Sequence, residues 1–206
     1  MENLDVRRVI FSDLPYLYEI CLKTGDEGKD ATPLYNDPYL IGHYYVAPYI
    51  VYQKSMCFVA EHDNYPKGYI VSAPDTAAYK LWLEDYWLPP IRKQFPKGRK
   101  VKYTEDEEKI INLIHKQQYP MDVSSFPWLS DYPAHLHIDL LPIIQKKGIG
   151  RILIEKLIDN LKKQNVSGIY LNVGLSNSGA ICFYKKIGFT ILKEQDWGYT
   201  MGKIID

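Results

Sequence analysis

The stretch Leu140-Leu141-Pro142-Ile143-Ile144-Gln145-Lys146-Lys147-Gly148-Ile149-Gly150-Arg151 decides how this chain of 206 residues is expected to fold. A predicted strand over 135–141 ends at Pro142, and apolar residues four positions apart predict an amphipathic helix over 148–163. Two glycines separated by one residue open that helix, so its unpaired backbone N–H groups point outward with no Cβ atom in front of them. Such a helix N-terminus favours a phosphate group.

The basic residues of this turn are Lys146, Lys147 and Arg151. They add positive potential to the helix dipole, so the turn suits a diphosphate better than a carboxylate. Two common phosphate-binding motifs are excluded, because the dinucleotide fingerprint needs a third glycine where Leu153 stands, and the P-loop needs Gly-Lys followed by Ser or Thr. The turn therefore predicts a diphosphate site of another type.

The chain after this helix alternates between strands and helices. We predict a strand over 169–173, a helix over 177–187, and strands over 189–192 and 199–205. This order indicates an α/β arrangement with parallel neighbouring strands.

Two motifs in this half of the chain resemble one known family. The second motif consists of Asn177, Ala180 and the run Phe183-Tyr184-Lys185-Lys186-Ile187-Gly188-Phe189. It resembles the N-x-x-A-x-x-F-Y-x-x-x-G-F element of the GNAT acetyltransferases. Upstream, Gln145, Gly148 and Gly150 match that family's Gln/Arg-x-x-Gly-x-Gly/Ala signature. The motifs lie at the family's usual separation, and the resemblance covers about 70 residues, 135–201.

This resemblance implies an α/β fold of the GNAT acyl-CoA N-acyltransferase type. Its central sheet is mostly antiparallel, with one parallel, splayed strand pair, and helices flank it. The resemblance also implies an acetyl-CoA-dependent N-acetyltransferase without a metal, in which an amine on a small molecule or a peptide attacks the thioester directly. A narrower resemblance, carried by 73–76, 87–89 and 132–139, is to free-standing bacterial relatives of the acetyltransferase-like domain of O-GlcNAcase.

The resemblance also implies which residues bind acetyl-CoA. The predicted coenzyme-binding residues are Leu140, Leu141, Ile143, Gln145, Lys146, Lys147, Gly148, Ile149, Gly150, Arg151, Asn177, Ala180 and Tyr184. Tyr184 matches the family tyrosine that protonates the leaving thiolate, although a packed tyrosine is the alternative. Asn177 is also a favoured helix N-cap, and the side chains of 140–143 also fit an ordinary core.

The predicted strand over 135–141 carries the candidates for the general base. Alternation along a strand places His135, His137 and Asp139 on one face, unless a bulge exchanges the faces partway. We predict Asp139 and His137 as the base or its water relay, and polar groups satisfied beneath an insertion are the alternative. The same three residues also match a two-histidine, one-carboxylate metal site.

The first two thirds of the chain complete a single domain over 1–206. A broken helical stretch is expected at 38–53, and an aromatic- and proline-rich helical insertion at 75–132. In that insertion we predict a helix over 76–87 that stops at Pro89-Pro90, and a helix that begins with a capping box at Thr104. Asp75 is expected either to line the acceptor pocket or to cap the first of these helices.

Composition limits the partners and the compartment. Lys plus Arg and Asp plus Glu number 25 each, so no overall charge attracts nucleic acid or an anionic membrane. The first fourteen residues lack the apolar core of a signal peptide, which predicts a cytoplasmic protein. Cys21, Cys57 and Cys182 are far apart and are expected to be reduced thiols, with Cys182 as a small core residue. The 18 tyrosines fit either a groove with one wet side or the periphery of the core.

Two other functions compete with the enzyme. A catalytically silent module of the same fold would bind an acyl-CoA or a peptide without turnover. A metal-dependent hydrolase would use His135, His137 and Asp139 as ligands. The expected partners of the enzyme are acetyl-CoA and an amine acceptor, and the chain is expected to act as a monomer or a homodimer.

Overall fold

The computed structural model describes residues 4–98, 102–121 and 123–205, which form one seven-stranded mixed sheet between layers of helices. The strands are β1 Leu4–Arg8, β2 Phe58–His62, β3 Tyr65–Ala73, β4 Ala134–Leu140, β5 Gly168–Gly174, β6 Thr190–Gln195 and β7 Gly198–Ile204. Their order in the sheet is β1-β2-β3-β4-β5-β7-β6. Neighbours pair antiparallel apart from β4 and β5, which run parallel.

The parallel pair separates along its length. Among the described residues, β4 and β5 pair at two positions only, Ala134 with Ile169 and His135 with Tyr170. Beyond these positions the strands diverge, so a gap opens in the sheet between Leu140 and Gly174, at their C-terminal ends. The predicted sheet with one splayed, parallel pair is confirmed. The wider expectation of parallel neighbours is wrong for β5, because β7 pairs antiparallel beside it.

Helices cover both faces of the sheet. They are α1 Leu14–Thr24, α2 Leu40–Tyr45, α3 Ala47–Gln53, α4 Thr76–Trp82, α5 Leu88–Gln94, α6 Glu105–His115, α7 Ile149–Lys162 and α8 Ser178–Lys186. One apolar core lies between the sheet and α7 and α8, and a second lies between the sheet and α1 to α6. Among the described residues, no helix is both long and apolar enough to cross a lipid bilayer.

Helix α7 has a clear physical origin. Its apolar stripe buries Ile149, Leu153, Leu157 and Leu161, each 5% exposed or less, against the sheet. Removing each of these side chains from water contributes about 2 kcal/mol, which fixes the helix on this face. Because α7 follows β4 after one short turn, its N-terminus lies beside the C-terminal end of that strand.

The segment over 75–132 contains the helices α4, α5 and α6, but one predicted boundary in it is wrong. Helix α4 passes through a π-helical turn, Leu83–Trp87, directly into α5, although Pro89 and Pro90 follow. Both prolines lie in the first turn of α5, the part of a helix where proline is best tolerated, so they do not end the helical path of the chain. The capping box at Thr104 is confirmed, since its hydroxyl accepts from the N–H of Glu107 at 3.1 Å.

Candidate active site

The two glycines at the start of α7 serve different physical purposes. Gly148 has φ +82°, a left-handed conformation that favours glycine, and a Cβ built there would meet no atom within 4 Å. Open space therefore lies in front of the helix N-terminus. A Cβ on Gly150 would instead lie 3.2 Å from Phe183 Cζ and 3.4 Å from Leu140 Cδ1, so this glycine lets α8 pack closely.

The turn between β4 and α7 is held by its own polar groups. The Gln145 side-chain amide donates to the Leu140 carbonyl at 2.8 Å, and the Leu141 N–H donates to the Lys67 carbonyl at 2.8 Å. Gln145 therefore fixes the turn against the end of β4. The predicted coenzyme residues of this segment divide by exposure: Ile149 and Gly150 are buried, Leu140, Leu141 and Gln145 are half-buried, and Ile143, Lys146, Lys147, Gly148 and Arg151 are exposed.

The second motif caps α8. The Asn177 side-chain oxygen accepts from the Ala180 N–H at 3.2 Å, so its predicted role as N-cap is confirmed. A Cβ built on Gly28 would lie 3.6 Å from the Asn177 amide nitrogen, which places the α1–α2 connection next to this cap. Ala180, half-buried, packs against the core beneath α7 and α8.

Tyr184 lies in the core beneath α7 and α8. The side chain is 8% exposed, and its ring packs against Phe183 and Phe189 at centroid distances of 5.4 and 5.6 Å. No group in the described ranges forms a hydrogen bond with the hydroxyl. Burial raises the pKa of Tyr184, with a further contribution from the Asp139 charge, so the hydroxyl keeps its proton at neutral pH. Cys182 is exposed on α8, which corrects its expected place in the core.

The three polar residues of β4 share one face, as predicted. The β3–β4 register runs without interruption from Gly68 opposite Leu140 to Ala73 opposite His135, so no bulge exchanges the faces. Leu136 lies on the other face, in the core beneath α7. The expected alternation along β4 is therefore confirmed.

His135 is a structural residue. Its Nδ1 lies 2.8 Å from the Thr76 hydroxyl, which itself donates to the Pro133 carbonyl, so Nδ1 carries the proton. Its Nε2 accepts from the Tyr49 hydroxyl at 2.9 Å. Burial, with the nearby Lys80 and His137 charges, lowers the pKa of His135 to about 3. Both nitrogens bond to protein groups, which is evidence against the alternative metal set that includes His135.

This depressed pKa makes a prediction about acid stability. Above the unfolded-state pKa of about 6.5 the neutral imidazole has its full stabilising contribution. As the pH falls from there toward 3, only the unfolded chain takes up the proton, and stability falls by up to about 1.4 kcal/mol per pH unit. His135→Asn is expected to be less stable than the wild type at neutral pH but to lose less on acidification. Urea unfolding at a series of pH values measures both, and parallel curves would contradict the assignment.

His137 and Asp139 form a close acid–base pair on the same face. His137 Nε2 lies 3.0 Å from Asp139 Oδ2, although the two groups lack the alignment of a linear hydrogen bond. The Tyr69 hydroxyl donates to the same carboxylate oxygen. Burial alone would raise the pKa of Asp139, but His137, Tyr69 and Thr24 outweigh it and lower that pKa, so the carboxylate is ionised.

Cys21 on α1 completes this cluster. Its Sγ, a ring nitrogen of His137 and a carboxylate oxygen of Asp139 lie within 4.8 Å of one another. Burial raises the pKa of the Cys21 thiol, which keeps it protonated and favours a hydrogen-bonded cluster. Sequence reasoning missed Cys21 and Tyr69, because α1 and β3 are distant in the chain. The strand register places Tyr69 opposite Asp139, and the packing of α1 against β3 and β4 brings Cys21 to the same pair.

Aromatic rings surround this cluster. The Tyr45 ring stacks on His137 at 5.2 Å, and Tyr44 packs edge-on against Tyr45 at 5.0 Å. Both rings are half-buried, and burial raises the pKa of Tyr44 to about 12, so it stays neutral. Part of the tyrosine excess therefore lines the sheet face that carries His137 and Asp139.

Asp75 lies away from the gap. Its Oδ1 accepts from the N–H groups of Ala77 and Ala78 at 2.9 and 3.0 Å, so Asp75 caps α4. It follows β3 next to the His135 end of β4, whereas the gap opens at the Leu140 end. The capping alternative is therefore confirmed.

Comparisons with known proteins agree with this geometry. Residues 123–189 match the model of the Acetyltransferase (GNAT) family. The [Ribosomal protein bS18]-alanine N-acetyltransferase of Escherichia coli strain K12 is 32% identical over 96 residues, which are 46% of this chain and 65% of that protein. The probable N-acetyltransferase san of Drosophila melanogaster is 38% identical over 56 residues, 27% of this chain and 30% of that protein. The chain thus spans about two thirds of the bacterial relative.

Solved structures extend the likeness to the whole chain. The crystal structure of SsHAT has 29% sequence identity and a TM-score of 0.89, and the match covers 99% of both chains. A PaiA N-acetyltransferase from Thermoplasma acidophilum, solved in complex with coenzyme A, has 17% identity and a TM-score of 0.55, over 98% of this chain and 99% of that one. This second match shows the fold alone. With both motifs inside the matched segment and the splayed strand pair in place, the chain has the fold of the GNAT N-acetyltransferases, and its residues 123–189 match that family's model.

Proposed function

We propose that this protein is an acetyl-CoA-dependent N-acetyltransferase in which an acceptor amine attacks the thioester directly. One observation carries the proposal: proton-transfer groups flank the gap between β4 and β5 on both faces of the sheet. His137 and Asp139 lie on the face of α1 and α2, and the protonated Tyr184 lies on the face of α7 and α8. Direct transfer needs one group that takes a proton from the amine and one that gives a proton to the thiolate.

The residues at the gap fit acetyl-CoA. The open space before Gly148, the outward N–H groups of α7 and the exposed Lys146 and Arg151 suit a diphosphate. Beyond its two paired positions with β5, the edge of β4 that faces the gap offers backbone groups to an extended pantetheine arm, apart from the Leu140 carbonyl, which Gln145 already engages. Asn177 lies across the gap at the start of α8. Acetyl-CoA supplies the activated acetyl thioester, and the protein supplies its position.

The chain's own groups then move the protons. His137 accepts the proton that the attacking amine loses, and the ionised Asp139 stabilises the resulting imidazolium. Tyr69 holds Asp139 in place through its hydrogen bond. Tyr184 donates its hydroxyl proton to the departing sulfur, and its unpaired hydroxyl is free to do so without breaking a bond to a described residue. These residue roles are part of the proposal.

The relatives bear on the acceptor. The E. coli relative is named for an alanine of a ribosomal protein, so a peptide amine joins small-molecule amines in the proposed range. Action in the cytoplasm, as a monomer or a homodimer, is part of the same proposal. The narrower likeness to bacterial relatives of the O-GlcNAcase acetyltransferase-like domain stays a prediction.

Two measurements on the full chain test the function against the silent module. Titration calorimetry with acetyl-CoA is expected to show binding at one site, and thiol release with a panel of amines and peptides is expected to give an acetylated product. His137→Gln and Asp139→Asn are each expected to lower kcat by about a hundredfold or more. Binding without any product, from any acceptor, would instead support the module.

A further inference from the structure

The connection between α1 and α2 presents one side chain in a fixed direction. Asp26 and Lys29 form an isolated antiparallel bridge, with N–H to O distances of 3.1 and 2.8 Å. Between them Glu27 and Gly28 have φ +51° and +91°, the pattern of a type I′ turn. A glutamate adopts this left-handed conformation only at an energetic cost, so the turn is held by its surroundings.

The Glu27 side chain lies directly over Gly174, the last residue of β5. A Cβ built on Gly174 would be 2.8 Å from Glu27 Oε1 and 3.4 Å from its Cδ, so any side chain at this position would displace the carboxylate from where it lies. Gly28 approaches the Asn177 amide in the same turn. The turn therefore rests on the β5 side of the gap.

Glu27 lies on the sheet face that carries the proposed base. Tyr170 and Gly174 share one face of β5, because they are four residues apart in a strand. The Tyr170 ring packs against His135 at 5.8 Å, so this face is the one that carries His135, His137 and Asp139. Gly174 is at the end where β4 and β5 have diverged. Glu27 thus borders the wide end of the gap.

The Glu27 carboxylate has no hydrogen bond or ion pair with any residue in the described ranges. It is exposed, and a glutamate side chain carries a negative charge at neutral pH. Aliphatic amines are protonated at neutral pH, because their pKa values are about 10. A carboxylate beside the entrance attracts such an ammonium group, and an uncharged amine gains nothing from it.

We propose that Glu27 binds an ammonium group of the acceptor and makes the enzyme selective for amines that are cationic in solution. Gly174 makes this possible, since it is the residue over which the carboxylate lies. This inference rests on the proposed acetyltransferase function and adds a specificity-determining residue to it. The acceptor class that fits is a flexible aliphatic amine, such as a diamine or a lysine side chain.

The test compares cationic and uncharged acceptors in the whole 206-residue chain. Two cationic acceptors, 1,4-diaminobutane and Nα-acetyl-lysinamide, are assayed beside 4-methoxyaniline, which is uncharged at neutral pH. Glu27→Gln is expected to lower the ratio of kcat/KM for cationic over uncharged acceptors about tenfold, through KM. Gly174→Ala keeps the charge but displaces the carboxylate, and is expected to lower the same ratio. Glu194→Gln, an exposed glutamate on β6, is the matched control and is expected to leave the ratio unchanged.

The outcomes separate this inference from the function on which it rests. If acetyl-CoA does not bind the wild type, the proposed function fails, and calorimetry with 1,4-diaminobutane alone still decides whether Glu27 binds an ammonium. If acetyl-CoA binds but the wild type neither binds nor acetylates either cationic amine, the role of Glu27 is overturned while the coenzyme site stands. An unchanged ratio in Glu27→Gln overturns it as well.

Discussion

Gly148→Asp is expected to lower the affinity for acetyl-CoA at least about a hundredfold, while the protein remains folded. The substitution places a carboxylate in the open space before the N-terminus of α7, where the proposed site holds the diphosphate. Two like charges about 4 Å apart in a partly desolvated site repel by several kcal/mol. Because no atom lies within 4 Å of the new Cβ, the fold loses only the cost of a left-handed residue, which aspartate tolerates better than most. Calorimetry with acetyl-CoA and thermal unfolding measure the two effects.

Gly148→Asn is the matched control for this experiment. It has nearly the same size and the same backbone cost but carries no charge, so the difference between the two variants isolates the repulsion of the phosphates. We expect the asparagine variant to bind acetyl-CoA far more tightly than the aspartate variant. Equal affinities in the two variants would show that the diphosphate lies elsewhere and would remove the main support for the coenzyme site.

Tyr184→Phe is expected to lower kcat about a hundredfold or more, with little change in the affinity for acetyl-CoA. The phenylalanine keeps the ring contacts with Phe183 and Phe189 and removes only the hydroxyl. Since that hydroxyl makes no hydrogen bond to a described residue, its loss is expected to leave the melting temperature nearly unchanged. Steady-state kinetics beside thermal unfolding therefore distinguishes a lost proton donor from a weakened core.

Tyr65→Phe is the comparison variant for Tyr184→Phe. Tyr65 is 54% exposed at the start of β3 and is not one of the proposed proton-transfer groups, so its substitution is expected to leave kcat at the wild-type value. If Tyr184→Phe also turned over at the wild-type rate, another group or water would have to protonate the thiolate. If both variants lost activity equally, the loss would not report on Tyr184.

The parts of the fold that local physics determines were predictable from the sequence. The turn before α7 follows from two glycines and an apolar repeat, and the start of α8 follows from one asparagine cap. The alternation of His135, His137 and Asp139 follows from the period of a strand. In each case the deciding residues are close neighbours in the chain, so tertiary contacts had little to change.

What depended on distant contacts could not be predicted. The separate role of His135 depends on Thr76 and Tyr49, which come from two other elements. Tyr69 and Glu27 reach the site only through the strand register and the fold of the α1–α2 connection. The exposure of Cys182 and the helix that continues through Pro89-Pro90 show the same limit, because an apolar periodicity does not specify which face is finally covered.

The short contact between β4 and β5 leaves the sheet as two ribbons, one of four strands and one of three, joined by a narrow seam. A pantetheine arm bound between β4 and β5, where the two strands no longer pair, would connect the two ribbons. Binding of the coenzyme would then stabilise the sheet. A coenzyme concentration a hundredfold above Kd would add about 2.7 kcal/mol to the free energy of unfolding. The coenzyme would thus stabilise the fold of the protein in addition to supplying the acetyl group.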